Sequence, residues 1–176
     1  MDPIPSGFET DRALRLERIP CPDGVTWRLF EEVLPTPFRK KYDDGDSREW
    51  LGSYEEEARL QDLRFLAGLE GGRIEGLLTW RQLEWNSSLW LIDIRVRQSA
   101  RRSGIGTSLV HRLQETCVER GLRGIGVETQ INNYPAIQFY RRNGFEVAGF
   151  NDHLYANDDL VRQDVALFLF WEADAH

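Results

Sequence analysis

The sequence predicts an α/β protein of the mixed α+β kind: a mostly antiparallel seven-stranded sheet with one central parallel strand pair and helices on both faces. Three observations predict this class. Short apolar segments separated by turn residues fill positions 63–96, as in a strand meander. Apolar residues then recur every four positions over 105–117, which is a helical period. A strand–helix–strand crossover from 89–96 to 122–129 requires those two strands to be parallel.

The N-terminal part of the chain gives weaker signals. We expect residues 1–12 to be a loose extension and residues 13–19 (ALRLERI) to form a strand, because the apolar residues alternate. Residues 26–34 (TWRLFEEVL) begin with a threonine typical of a helix cap and predict a short helix that ends before two prolines. A second helix is predicted at 47–60, after an aspartate-rich turn at 43–46.

From residue 62 onward the pattern is clearer. Gly71 and Gly72 are a two-residue hairpin signal between two apolar runs. In chain order the predicted elements are strands at 63–70, 73–85 and 89–96, a helix at 105–120, a strand at 122–129, a helix at 136–143, and strands at 145–156 and 164–171. The last two strands are expected to pair as a hairpin.

Composition limits the possible functions. The 176 residues predict one domain spanning 1–176, with its motif-bearing core at 62–171. A formal net charge of −7 argues against nucleic acid as the main partner. No apolar run is long enough to span a membrane and no secretory signal opens the chain, so we expect a cytoplasmic protein. Cys21 and Cys117 have no CxxC neighbour, so neither a disulfide scaffold nor a cysteine metal site is expected.

The turn between the strand at 89–96 and the helix at 105–120 has the composition of a diphosphate-binding loop. It contains, in order, Arg101, Arg102, Ser103, Gly104, Ile105, Gly106 and Thr107. Glycines permit close approach of a ligand to the backbone, and a helix N-terminus offers unpaired N–H groups and a positive dipole end to anions. The two arginines add donors that suit phosphate. A plain strand-to-helix turn with a solvated arginine pair is the alternative interpretation.

A second distinctive segment begins at Asn133, a typical helix cap, with Pro135 in the first turn of the helix. Asn133, Ala136 and Tyr140 share one helical face. The helix ends at Gly144. Tyr140 is either presented to a ligand or is a core tyrosine with a satisfied hydroxyl.

Together the two segments resemble the signature motifs of the GNAT superfamily, the acetyl-CoA-dependent N-acetyltransferases. The first motif is matched by Ile94 and Val96 at a strand end and then by Arg101, Gly104 and Gly106, and the second by Asn133, Ala136, Tyr140, Gly144 and Phe145. The resemblance covers about residues 62–171. Gln98 stands where the family commonly has proline, which removes some rigidity from the loop. Within the superfamily, the run ETQINNYPA at 128–136 looks most like streptothricin acetyltransferases.

The resemblance implies an enzyme that transfers the acetyl group of acetyl-CoA directly to a primary amine, without a metal. In the family pattern Tyr140 is the general acid for the departing thiolate, and Glu128 occupies the place of the base that deprotonates the amine. Asp93, on the adjacent strand, is a second candidate base. A structural hydrogen bond or ion pair is the alternative role for each carboxylate.

The resemblance also implies how acetyl-CoA is held. The diphosphate is expected on the turn at 101–107, and the pantetheine arm along the backbone of Ile94 and Val96. Asn133 and Ala136 are expected to belong to the same binding surface, together with the catalytic tyrosine of their helix.

The acceptor is expected to be a small cationic amine, such as a streptothricin-like antibiotic, bound by residues 25–60 and loops near 80–90 and 150–162. Candidate cation–π faces are Trp50, Tyr54, Trp80 and Trp85, near the aspartates at 43, 44 and 46. An aromatic core with an acidic surface is the alternative. A protein N-terminal acetyltransferase and a non-catalytic acyl-CoA sensor stay open as other functions. The sequence does not distinguish a monomer from a homodimer.

Overall fold

The computed structural model describes residue 4 and residues 7–42 and 62–173. The helix predicted at 47–60 and the turn at 43–46 lie outside the described residues. The described chain forms two compact units. The first unit holds residues 4, 7, 41–42, 62–127 and 170–173, and the second holds residues 8–40 and 128–169. The organisation as a single domain stays a prediction.

Within the described residues there are eight strands and three α-helices. The strands are β1 (Gly7–Cys21), β2 (Gly24–Lys41), β3 (Arg64–Glu70), β4 (Arg73–Leu83), β5 (Ser88–Val96), β6 (Gly124–Gln130), β7 (Glu146–Asn151) and β8 (Ala166–Glu172). The helices are α1 (Ile105–Glu119), α2 (Tyr134–Arg142) and α3 (Asp159–Arg162). Six strands form one sheet in the order β3-β4-β5-β6-β8-β7, and β1 pairs with β2 in a separate two-stranded sheet. None of the helices in these ranges is long and apolar enough to cross a membrane.

The six-stranded sheet has the predicted mixed character. β3, β4 and β5 are successive antiparallel neighbours, and the turn between β3 and β4 has positive φ at both Gly71 (56°) and Gly72 (77°), as a type I′ hairpin requires. β5 and β6 are parallel, in register from Leu89–Ile125 to Leu91–Val127. The predicted central parallel pair is confirmed, as is the adjacency of the last two strands. The first of the seven predicted strands, at 13–19, instead belongs to the two-stranded sheet.

Helix α1 packs on β3, β4 and β5 through its apolar stripe. Leu109, Val110, Leu113 and Cys117 are all buried, as their spacing predicts. Burial raises the pKa of the Cys117 thiol, which agrees with a core position.

The first turn of α1 lies directly against the β3–β4 hairpin. A Cβ atom added at Gly68 or at Gly76 would lie 2.7 Å from the Cγ2 atom of Ile105. Gly68 and Gly76 face each other in the antiparallel register. Only glycine at these two positions leaves room for the first residue of the helix.

Two predictions for the N-terminal part are wrong. Residues 26–34 lie in strand β2 and not in a helix, and residues 7–12, expected in a loose extension, begin strand β1. Helix propensity, which leucine and glutamate favour, is a weak prior, and the pairing of β2 with the preceding strand β1 across the turn at 22–23 overrides it. An ion pair of 2.5 Å between Arg15 and Glu32 and a ring contact between Phe8 and Phe38 join the two strands.

Candidate functional site

The loop that precedes α1 is shaped by residues in unusual backbone conformations. Gln98–Ala100 forms one turn of 3₁₀-helix. Arg102 has a φ of 67° and Gly104 has a φ of 94°, both in the left-handed region. The Oγ atom of Ser103 donates a hydrogen bond of 2.7 Å to the carbonyl of Ala100 and so closes the turn. The backbone conformation of the loop that leads into the helix is therefore fixed by these turns and this hydrogen bond.

The N-terminus of α1 is open to an anion. Gly104 is the cap residue and has no side chain with which to satisfy the first helical N–H groups. The first turn, Ile105–Ser108, contains no acidic residue, so nothing there opposes the positive end of the helix dipole. A Cβ atom at Gly104 would meet no other atom within 4 Å, and Arg101 and Arg102 are exposed beside it. An open helix N-terminus beside two arginines is suited to binding a diphosphate. Gly106 and Thr107, in the first turn of the helix, are half-buried.

Arg101 is tied to the end of β5. Its Nε atom donates to the carbonyl of Val96 at 3.3 Å, and its Nη2 atom donates to the carbonyl of Gly7 at 3.5 Å. β5 continues from Leu91 to Val96 beyond the last residue pair that is in register with β6. Ile94, the other residue expected to line the pantetheine arm, is half-buried in this stretch.

Asp93 lies in the same stretch and is engaged in an ion pair. Its Oδ2 atom accepts a hydrogen bond of 2.6 Å from Nε of Arg95, and both side chains are largely buried. The structure thus gives Asp93 the structural contact that the sequence left as its alternative role.

Glu128, the first candidate base, is half-buried in β6 within the second unit. Burial is the largest influence on its carboxyl and raises the pKa. A hydrogen bond from the hydroxyl of Tyr155 and the positive charge of Lys40 act in the opposite direction, whereas the negative charge of Asp164 raises the pKa further. The net result is a pKa above the usual range of a glutamate, so the group titrates nearer to neutral pH.

Tyr155 was not recognised as a site residue in the sequence. The amide of Gln130 donates to its hydroxyl oxygen at 3.2 Å, and its own hydroxyl donates to Glu128. Burial, followed by the contact with Glu128, raises the pKa of Tyr155, so the phenol stays protonated and remains a donor. The sequence signal was its place at the end of the run GFNDHLY (149–155), shortly after the second motif.

A second polar cluster, formed by Lys40, Asp164 and Asn132, accompanies this pair. The Nζ atom of Lys40 lies 2.9 and 3.1 Å from the two carboxylate oxygens of Asp164. The amide of Asn132 donates to the same carboxylate at 3.0 Å. Because Lys40 and Asp164 both act on the charge of Glu128, the cluster belongs to its electrostatic surroundings.

Tyr140 lies on α2, in the same unit as Glu128. The predicted cap is confirmed, because the Oδ1 atom of Asn133 accepts a hydrogen bond from the backbone N–H of Ala136 at 3.3 Å. The side chain of Tyr140 is only 5% exposed, and its ring packs against Phe139 and Phe145 at centroid distances of 5.4 and 5.6 Å. Packing therefore fixes the direction of the phenol.

The aromatic residues predicted to bind the acceptor differ in solvent exposure. Trp80 is buried, and the guanidinium groups of Arg64 and Arg120 lie 5.6 and 5.2 Å from its ring, which agrees with a core residue. Trp85 is 84% exposed. Trp50 and Tyr54, with the aspartates at 43–46, lie outside the described residues.

The chain is similar in sequence and in fold to known acetyltransferases. The chain is 29% identical over 154 residues to streptothricin acetyltransferase A of Bacillus subtilis (strain 168), covering 88% of this chain and 84% of that protein. It is 34% identical over 133 residues to the streptothricin acetyltransferase of Streptomyces lavendulae, covering 75% and 69% of the two chains. The crystal structure of nourseothricin acetyltransferase superposes with a TM-score of 0.74 at 26% identity, covering 97% of this chain and 89% of that one.

The sequence model of the acetyltransferase (GNAT) family matches residues 27–145, which is more than half of the chain. This range contains the turn at 101–107, Glu128 and Tyr140. The chain therefore belongs to the acetyltransferase (GNAT) family and is an acyltransferase that uses acetyl-CoA as its donor.

Proposed function

We propose that this enzyme acetylates a primary amine of a small cationic molecule of the streptothricin class, by direct attack within a ternary complex. The observation that carries the proposal is the state of Glu128, a half-buried carboxyl whose pKa is raised by burial. A general base is most effective when its pKa lies near the operating pH. Burial moves the pKa of Glu128 in that direction, whereas the carboxylate of Asp93 is engaged in an ion pair with Arg95.

Each part of the reaction has a residue suited to it. The amine nitrogen attacks the thioester carbonyl carbon, the new C–N bond forms, and the C–S bond breaks. Glu128 accepts the proton that the amine loses, directly or through one water, and Tyr140 donates a proton to the departing thiolate. A thiol has a pKa of about 8.5, so the sulfur needs only modest acid assistance. Acetyl-CoA is held by its diphosphate on Gly104 and its neighbours, with the pantetheine arm along Ile94 and Val96.

Three facts support a cationic acceptor. The chain carries a formal net charge of −7, which attracts cations at long range. Glu128 and Asp164 supply two carboxylates against the single ammonium of Lys40, which is paired with Asp164. The curated relatives are named streptothricin acetyltransferases. The role that we propose for this chain is resistance to streptothricin. We place the reaction in the cytoplasm, where acetyl-CoA is available, with either one or two copies of the chain.

The proposal is tested by mixing the protein with acetyl-CoA and a panel of amines, and by following the release of free thiol and the mass of the product. The panel contains streptothricin, other small cationic amines and peptides with free N-termini. We expect acetylation of streptothricin and a fall of about 10²- to 10⁴-fold in kcat for Glu128→Gln, with binding of CoA retained. Glu146→Gln, an exposed glutamate of the same unit, is the matched control.

Two results would contradict the proposal. Thiol release with peptides and not with small amines identifies a protein N-terminal acetyltransferase. Tight binding of CoA without thiol release for any acceptor identifies a sensor.

A further inference from the structure

We propose that Tyr155 is a positioning residue that orients the carboxylate of Glu128 for proton transfer. This inference rests on the proposed role of Glu128 as the base and extends it to a residue outside both signature motifs. Tyr155 itself lies 27 positions from Glu128 in the sequence and reaches it only in the folded chain.

The hydrogen bonds around the phenol form a chain of donors that runs from Gln130 through Tyr155 to Glu128. The amide of Gln130 donates to the hydroxyl oxygen of Tyr155 at 3.2 Å, and the hydroxyl donates its own proton to Oε1 of Glu128. Gln130 and Glu128 are alternate residues of β6, so both side chains leave the same face of the strand. A donor that is itself a hydrogen-bond acceptor is polarised and binds an anion more strongly.

The backbone that carries Tyr155 is anchored independently of Glu128. Its N–H donates to Oδ2 of Asp159 at 2.8 Å, and Asp159 is only 1% exposed. Gln163, just after α3, joins the segment to β1 by accepting from the N–H of Leu16 at 3.0 Å and donating to its carbonyl at 3.1 Å. The backbone position of Tyr155 is thus fixed by bonds that do not depend on the carboxylate that its hydroxyl contacts.

The inference has a definite consequence for pH dependence. The groups that act on Glu128 are the phenol of Tyr155, the ammonium of Lys40 on β2 and the carboxylate of Asp164 before β8. The phenol stabilises the ionised carboxylate and lowers its pKa, so removing the hydroxyl raises that pKa. Because the base works only when ionised, the acid limb of kcat/KM then moves to higher pH.

The experiment compares the pH profiles of kcat/KM for Tyr155→Phe, Glu128→Gln and the parent enzyme. For Tyr155→Phe we expect an upward shift of the acid limb by about one pH unit and a fall of about tenfold in kcat near neutral pH, with an unchanged KM for acetyl-CoA. Tyr134→Phe is the matched control, because the hydroxyl of Tyr134 also donates to a carboxylate of the same unit, Glu31, at 3.0 Å. It should leave the profile unchanged.

A second variant covers the case in which Tyr155→Phe folds poorly. Site-specific 3-fluorotyrosine at position 155 keeps the ring and the hydroxyl but makes the phenol more acidic and a stronger donor, so the acid limb should move to lower pH. An unshifted limb in both variants, with Glu128→Gln inactive, overturns the role of Tyr155 and leaves the proposed function intact. Full activity of Glu128→Gln overturns the role of Glu128 and, with it, this inference.

Discussion

Lys40 donates to both carboxylate oxygens of Asp164, at 2.9 and 3.1 Å, although the two residues are 124 positions apart in the sequence. The same carboxylate accepts a hydrogen bond from Asn132. Lys40 and Asp164 act on the carboxyl of Glu128 with opposite sign. Beyond the effects of burial and of Tyr155, the pKa of Glu128 therefore depends on two charges that the fold brings together.

Substitution of either member of this ion pair should shift the activity profile, in opposite directions. Lys40→Met removes a positive charge, raises the pKa of Glu128 and moves the acid limb of kcat/KM to higher pH. Asp164→Asn removes a negative charge, lowers that pKa and moves the limb to lower pH. Arg39→Met, which breaks the exposed pair with Glu9, is the control and should leave the limb in place. Shifts of the same sign in Lys40→Met and Asp164→Asn would contradict the electrostatic argument.

Tyr140→Phe separates acid assistance from packing. The phenylalanine ring preserves the contacts with Phe139 and Phe145, so the melting temperature should change little. Loss of the hydroxyl should lower kcat by about 10- to 100-fold, because a thiolate leaving group needs only part of the acceleration that acid catalysis offers. Steady-state kinetics at saturating acetyl-CoA and a thermal melt measure the two effects. A kcat of the Tyr140→Phe variant equal to that of the parent enzyme would contradict the role of Tyr140 as general acid.

Gly104→Ala tests the anion-binding turn. A φ of 94° is strained for alanine and costs about 1–2 kcal/mol, which the loop relieves by moving the helix N–H groups. We expect the KM for acetyl-CoA to rise about tenfold with little change in kcat at saturation. Gly71→Ala is the matched control, because Gly71 also has a positive φ and open space around its Cα. It should lower stability similarly without changing KM, and an equal rise in KM for both variants would contradict the assignment.

Gly126→Ala tests the packing of the central parallel pair. An added Cβ atom would lie 2.7 Å from Cζ3 of Trp90, on the neighbouring strand. Forcing a methyl group into a filled space costs about 1–3 kcal/mol, which chemical denaturation measures as a lower free energy of unfolding. Gly149→Ala, where no atom lies within 4 Å of the added Cβ, should show no such loss.

The sequence was most informative where local signals agree with each other. The glycine pair at 71–72, the apolar stripe of α1 and the Asn133 cap each have a local physical cause, and all three are present in the structure. The segment at 26–34 lacks such agreement. Its strand conformation depends on pairing with β1, a partner that no local pattern in TWRLFEEVL reveals.

The residues of the candidate site also fall into two groups, those expected from the sequence and those found only in the structure. Glu128, Tyr140 and the turn around Gly104 were expected as site residues from the resemblance to the family motifs. Tyr155 and Lys40 do not, because each contributes through a contact with a residue distant in sequence. A phenol and an ammonium are common surface groups, and only the folded chain places them beside a carboxylate.

Ile105, in the turn proposed to bind the diphosphate, rests on Gly68 and Gly76, two facing positions of the β3–β4 hairpin. A side chain at either glycine would lift the first turn of α1 and tilt its amides away from an incoming diphosphate. The affinity for acetyl-CoA is thus open to adjustment from the β3–β4 hairpin. Substitutions at these two positions would change how the first turn of α1 is seated, while the arginines of the loop stay as they are.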